Sequence, residues 1–123
     1  MSITKTNVLT LTLNDYQAET AQTAIYKWPV IYPALGLASE AGECLGGIKK
    51  FIRDNEIDFT GGAKDLTHAQ RQDIALELGD VLWYVAALSR DIGYSLNQVA
   101  TMNIWKLEDR KSRGKIKGSG DHR

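Results

Sequence analysis

One cysteine, Cys44, is all the chain has, so no internal disulfide framework can form; such usage fits a reducing cytoplasm. Cys44 sits on an apolar helical stretch and reads as a buried, inert thiol. No apolar run is long enough to span a bilayer, because an acid or a lysine interrupts each one. The opening residues MSITKTNVLTLTLND lack a basic segment followed by an apolar one, which speaks against a secretory leader. Alternating polar and apolar residues are also scarce: only 7–13, VLTLTLN, hints weakly at a strand. Net charge is absent, with 15 basic and 15 acidic residues, but it is unevenly spread. Residues 106–123 hold seven of the Lys and Arg against three of the Asp and Glu. That asymmetry fits a nucleic-acid tail, a solvated helix end, or basic groups facing acids on another element.

What is present is an ordinary globular composition, 43% hydrophobic and 24% charged over 123 residues, enough for one domain (1–123) with one core. Asn14 and Asp15 can cap a first helix that runs to about Trp28, where Pro29 stops it. Pro33 suits the first turn of a second helix, to about Asp54. Residues 55–66 contain Gly61-Gly62 and read as a loop. Thr67 starts a third helix through about Ile92, which Gly93 ends. Ser95 caps a fourth to about Arg113, and residues 114–123 form a basic, glycine-rich, extended tail. Four helices with short connections make an all-α, four-helix bundle-like fold the expectation.

The third helix carries the puzzle. In IALELGDVLWYVAAL (74–88) apolar residues point in every direction, the mark of a buried helix. Glu77 and Asp80 nevertheless lie inside it, and an ionised carboxylate taken out of water needs a partner. LASEAGECL (37–45) echoes IALELGDVL (74–82): acid, any residue, glycine, acid occurs twice, on two helices. Residues three apart share a helix face, so Glu40 with Glu43 and Glu77 with Asp80 form two carboxylate pairs. Gly42 and Gly79 weaken their helices by about 1 kcal/mol relative to alanine, and close approach of neighbouring backbones would offset that. Converging carboxylates repel; a hard divalent cation relieves the repulsion, and Mg2+ bound this way commonly also takes phosphates. The plain alternative is that Glu40 and Glu43 line a solvated face.

Lys50 lies near the same face of the second helix. On the fourth, Asn103, Lys106 and Arg110 share a face, Trp105 points elsewhere as a core residue should, and Arg113 and Lys115 extend the basic set. A cation beside such groups is what phosphoryl chemistry needs, though lysine and arginine near a helix C-terminus are also favoured by the macrodipole alone. Glu40-x-x-Glu43, Glu77-x-x-Asp80 and Asn103-x-x-Lys106-x-x-x-Arg110, with ELGDVLWY between, resemble the MazG-like nucleotide pyrophosphohydrolases of the all-α NTP pyrophosphatase superfamily. The resemblance covers about residues 30–123 and extends to the tail KGSGDHR.

That resemblance implies a helical core assembled as a homodimer or a dimer of dimers (a homotetramer). It implies a nucleoside triphosphate substrate cleaved to monophosphate and pyrophosphate, in nucleotide-pool house-cleaning, with no membrane or nucleic-acid partner. Carried onto this chain, it makes Glu40, Glu43, Glu77 and Asp80 ligands of Mg2+ (or Mn2+), and Lys50, Asn103, Lys106 and Arg110 phosphate contacts. Glu40 is the choice for the carboxylate that orients or deprotonates the attacking water. Residues 44–76, between the two acidic motifs, form a longer connection than the family commonly has, which puts in doubt the shape of what the Gly61-Gly62 loop covers. Tyr16, Gln17 and Trp28, with Trp83, are candidates for the nucleobase. A dUTPase- or dCTPase-like enzyme of narrow base specificity is one rival. A non-catalytic helical dimerisation module whose basic tail binds nucleic acid is another. A di-iron carboxylate bundle is disfavoured because it wants Glu-x-x-His pairs, and neither His68 nor His122 stands at that spacing.

Overall fold

The computed structural model describes residues 10–123, and among them every regular element is helical. The residues of the weak alternating run that fall at 7–9 lie outside the described ones; Leu11 and Thr12 form no strand. The first helix, α1 (Leu13–Thr20), opens at Thr12 rather than Asn14. Thr12 Oγ1 accepts from the Asp15 amide at 3.1 Å while the Asp15 carboxylate accepts from the Thr12 amide at 3.1 Å, a reciprocal cap that satisfies two otherwise orphaned donors. Instead of reaching Trp28, α1 ends at Thr20 and tightens through a 3-10 turn, Ala21–Thr23. The reason is local: Thr20 Oγ1 donates to Gln17 O at 2.6 Å and Thr23 Oγ1 to Thr20 O at 3.2 Å. Threonine hydroxyls bonded back to the main chain compete with helix continuation.

After an irregular segment the long α2 (Ile31–Asn55) begins, with buried Pro33 in its first turn as its missing N–H allows. Residues 56–66 form the connection, including a 3-10 turn at Gly62–Asp65 where the Asp65 carboxylate takes the Gly61 amide at 2.8 Å. Two further helices follow: α3 (His68–Asp91), capped by Thr67 with Gln70, and α4 (Leu96–Ser112), capped by Ser95 with Gln98. Gly93 ends α3 at φ 83°, with Tyr94 N donating to Ser89 O at 2.9 Å and Gly93 N to Arg90 O at 3.0 Å. Gly114 closes α4 in the same way at φ 65°. A positive φ is nearly free for glycine, and the two bonds use carbonyls the helix would leave unpaired.

Packing is led by α2 against α3. Gly36 faces Tyr84, Glu40 meets Glu77 and Asp80, and Gly47 and Lys50 share a groove with Asp73, so the two helices run antiparallel. α1 lies across α3 and ties it to α4 through Gln17. Ala86, Ala87, Leu96 and Pro33 are the buried apolar residues. This small core corrects the expectation of a helix buried all round: Leu76 is 65% exposed, Leu78 and Leu82 are exposed too, and Trp105 is 65% exposed rather than core. The exposure belongs to the N-terminal part of α3, since residues 83–91 are all buried or half-buried. Cys44 is half-buried rather than buried. The tail is not extended: the Asp121 carboxylate holds Lys106 at 3.2 Å and Arg110 at 3.0 Å, and Arg113 donates to Arg123 O at 2.9 Å.

Candidate active site

Spacing on α3 puts Glu77 and Asp80 on one face, and the antiparallel pairing brings Glu40 of α2 to them. One carboxylate oxygen from each of the three lies within 4.8 Å of the others. Glu40 and Glu77 are half-buried and Asp80 is exposed, so these acids line a cleft and do not sit in an oily interior. Glu43 is not one of the trio, but its charge reaches it. Partial desolvation first, then Asp80, Glu43 and Glu77, raises the Glu40 carboxyl above its ordinary value of 4.5. None of the ion pairs among the described residues involves these acids. A set of three converging carboxylate oxygens fits a hard cation such as Mg2+ or Mn2+.

Tyr16 of α1 borders the same place: its hydroxyl lies 3.5 Å from Gly79 O, and burial followed by the Asp80 charge raises its phenol above 10.0. Gly42 and Gly79 play no part in the convergence, since a Cβ at either would meet open space. The close approach is at Gly36, where any added Cβ would run into the Tyr84 ring.

From the acids the cleft continues into an aromatic chamber. A cavity of about 360 Å³ is lined by Thr23, Glu40, Asp80, Trp83 and Tyr84. It shares Thr23, Trp83 and Tyr84 with a second, of about 420 Å³, that adds Ile25, Tyr26, Lys27, Trp28 and Tyr32. Tyr26 stacks on Tyr32 with centroids 5.2 Å apart, and Trp83 meets Tyr84 edge-on at 4.9 Å. Trp83 Nε1 donates to Thr23 Oγ1 at 2.8 Å, pinning the indole. Trp28 is here and 69% exposed. Thr23, Tyr26, Tyr32 and Tyr84 were not singled out in the sequence. Trp83 and Tyr84, three and four residues past Asp80, carried the signal: they had to share its face.

Gln17 has a different task. It is 9% exposed, donates to Ala86 O at 3.2 Å and Tyr94 O at 3.1 Å, and accepts from Leu96 N at 2.9 Å. Its amide joins α1 to the α3–α4 junction, with both Nε2 hydrogens in use and Oε1 holding the Leu96 amide. Lys50 is exposed in a groove of about 270 Å³ that also touches Glu77 and Asp73. Asn103 and Lys106 line a separate cavity with Ile92, Tyr94, Val99 and Met102, which shares no residue with the acid cleft. Arg110, 4% exposed, is wrapped by the tail. The fourth helix thus turns Lys106 and Arg110 to its own C-terminal segment. His68 and His122 are exposed.

The MazG nucleotide pyrophosphohydrolase domain family matches residues 33–114, from the first turn of α2 to the glycine that closes α4. The chain belongs to this family. A relative, the "Gene 37 protein" of Mycobacterium phage L5, is 40% identical over 116 residues, covering 88% of this chain and 96% of that protein. No solved structure matches. All four acids fall inside the MazG span, as do Trp83 and Tyr84. Thr23, Tyr26, Trp28 and most of the outer aromatic wall fall before it. No helix among the described residues is long and apolar enough to cross a membrane.

Proposed function

We propose that this MazG-family chain hydrolyses a nucleoside triphosphate to the monophosphate and pyrophosphate, as a nucleotide-pool enzyme. One observation carries the reading: three carboxylate oxygens converge at the mouth of an aromatic cleft. Glu40, Glu77 and Asp80, with Glu43 beside them, would hold Mg2+ or Mn2+. When bound, that cation neutralises phosphate charge and makes a water more acidic. Glu40 would then orient the water that attacks the α-phosphorus or take its proton. Lys50 is the nearest candidate for a phosphate contact, and Tyr16 and Trp28 remain candidates on the nucleotide side. The base enters the aromatic chamber and stacks on Trp28 or the tyrosines, while the bonds of Gln17 across the α3–α4 junction favour a structural part for it.

The exposed apolar faces of α2, α3 and α4 (Leu45, Leu76 and Ile104 among them) call for cover, because a monomer rarely leaves so much apolar surface in water. A homodimer or homotetramer supplies it. A built aromatic wall also favours narrow selection of the base, as in the dUTPase- or dCTPase-like alternative.

The test is incubation with standard and modified nucleotides in Mg2+, with product identification. Monophosphate and pyrophosphate are expected. Release of orthophosphate would overturn the α-attack; no turnover of any nucleotide, with no Mg2+-dependent rise in melting temperature, would overturn the function.

A further inference from the structure

The segment between α1 and α2 holds the most strained backbone at the cleft. Val30 has φ 68° and ψ −57°, and Ile31 N donates to Pro29 O across it at 2.8 Å. That is a γ-turn of the rare, strained hand, centred on a β-branched residue for which positive φ is an outlier. Such conformations persist only where the surroundings fix them, and they gather at ligand clamps. Here one carboxylate oxygen adds to the main-chain bonds from Tyr32 N to Trp28 O at 3.0 Å and from Ala34 N to Val30 O at 3.1 Å. Asp91 Oδ2 accepts from Val30 N at 2.9 Å and from Tyr26 Oη at 2.9 Å. Both ends of the stretch that carries Lys27 and Trp28 are therefore tied to one atom. Asp91 is the last residue of α3, where the helix dipole disfavours a negative charge; these two bonds offset that.

We propose that Asp91 is a positioning residue for nucleotide selection: by holding residues 26–30 in the strained turn, it sets Tyr26 and Trp28 as the outer wall of the aromatic chamber. The inference rests on the nucleotide reading above. Asp91 lies 11 residues beyond Asp80, about 16 Å along the helix, so it acts on the base side and leaves the acids alone.

The experiment compares wild type with Asp91→Ala, Asp91→Asn and Tyr26→Phe. Readouts are KM and kcat across nucleotides, Mn2+ affinity by calorimetry, and hydrogen exchange of the 24–31 backbone. In Asp91→Ala, KM for the preferred nucleotide should rise about tenfold, the loss of two hydrogen bonds, one of them main-chain. Discrimination between bases should flatten, while kcat and Mn2+ affinity stay within twofold. Asp91→Asn keeps an oxygen that can accept both donors and should restore most of the loss. KM unmoved in Asp91→Ala, Asn no better than Ala, or a joint fall in kcat and Mn2+ affinity would each overturn the proposal. Should Asp91→Ala not fold, Tyr26→Phe removes one donor and should raise KM about threefold; an unchanged KM overturns it. If wild type turns over no nucleotide, the functional reading fails by itself, and exchange at Val30 decides the clamp: no faster exchange in the Asp91 variants refutes it.

Discussion

Replacing Gln17 by alanine removes three hydrogen bonds at once. Two Nε2 bonds to Ala86 O and Tyr94 O and one from Leu96 N are all lost. At about 1 kcal/mol net each, the loss is about 3 kcal/mol. Leu96 N is a first-turn donor of α4 without an intrahelical acceptor and is buried with its residue, so leaving it unpaired adds desolvation and brings the loss to about 4 kcal/mol. For a domain of this size that is a fall in Tm of about 12 °C or more. Gln17→Glu keeps the acceptor for Leu96 N but sets a carboxylate against two carbonyl oxygens. It should be at least as damaging at pH 7 and recover in part on acidification. Urea unfolding followed by circular dichroism, at fixed protein concentration, measures both. A loss under about 1 kcal/mol would refute the structural assignment. So would a changed base selectivity in a variant of unchanged stability, which would return Gln17 to the nucleobase.

Glu77→Gln should weaken Mn2+ binding and lower turnover about a hundredfold or more, with helicity retained; unchanged calorimetric titrations would remove Glu77 from the cation site. Because the Glu40 carboxyl is raised in the folded chain, its proton binds the folded state more tightly than the unfolded one. Its contribution to stability is complete below the ordinary value of 4.5 and is lost as pH climbs through the raised one. Melting curves in a chelator should decline over that range, and Mg2+ should reverse the decline by competing with the proton; parallel curves with and without Mg2+ would contradict this. Gly36→Ala drives a methyl into the Tyr84 ring and should cost about 1–3 kcal/mol. Gly79→Ala meets open space and should be neutral or gain up to about 1 kcal/mol, both read by urea titration.

Caps and stops were legible because each is a local rule. Thr67, Ser95, Gly93 and Gly114 act within a turn of themselves, and the helices start or stop where those residues say. The acid trio was legible in outline because i, i+3 spacing and an internal echo put carboxylates on two helices. What could not be read was which partner each polar group finds across the fold. Nothing near Gln17 announces that the Leu96 amide, far along the chain, bonds its oxygen. Nothing local to Lys106 and Arg110 betrays Asp121 folding back on them. Trp105 looked like core because periodicity records which face is apolar and says nothing about what covers it. The early end of α1 depended on two threonine hydroxyls choosing main-chain carbonyls, which propensity does not rank.

The pinned C-terminal segment has a practical side. Arg110 sits under residues 120 and 121, so clipping the chain after Gly114 would open its guanidinium to water and remove the Asp121 carboxylate from it and from Lys106. A purification handle fused behind Arg123 would tug at the carbonyl that Arg113 grips.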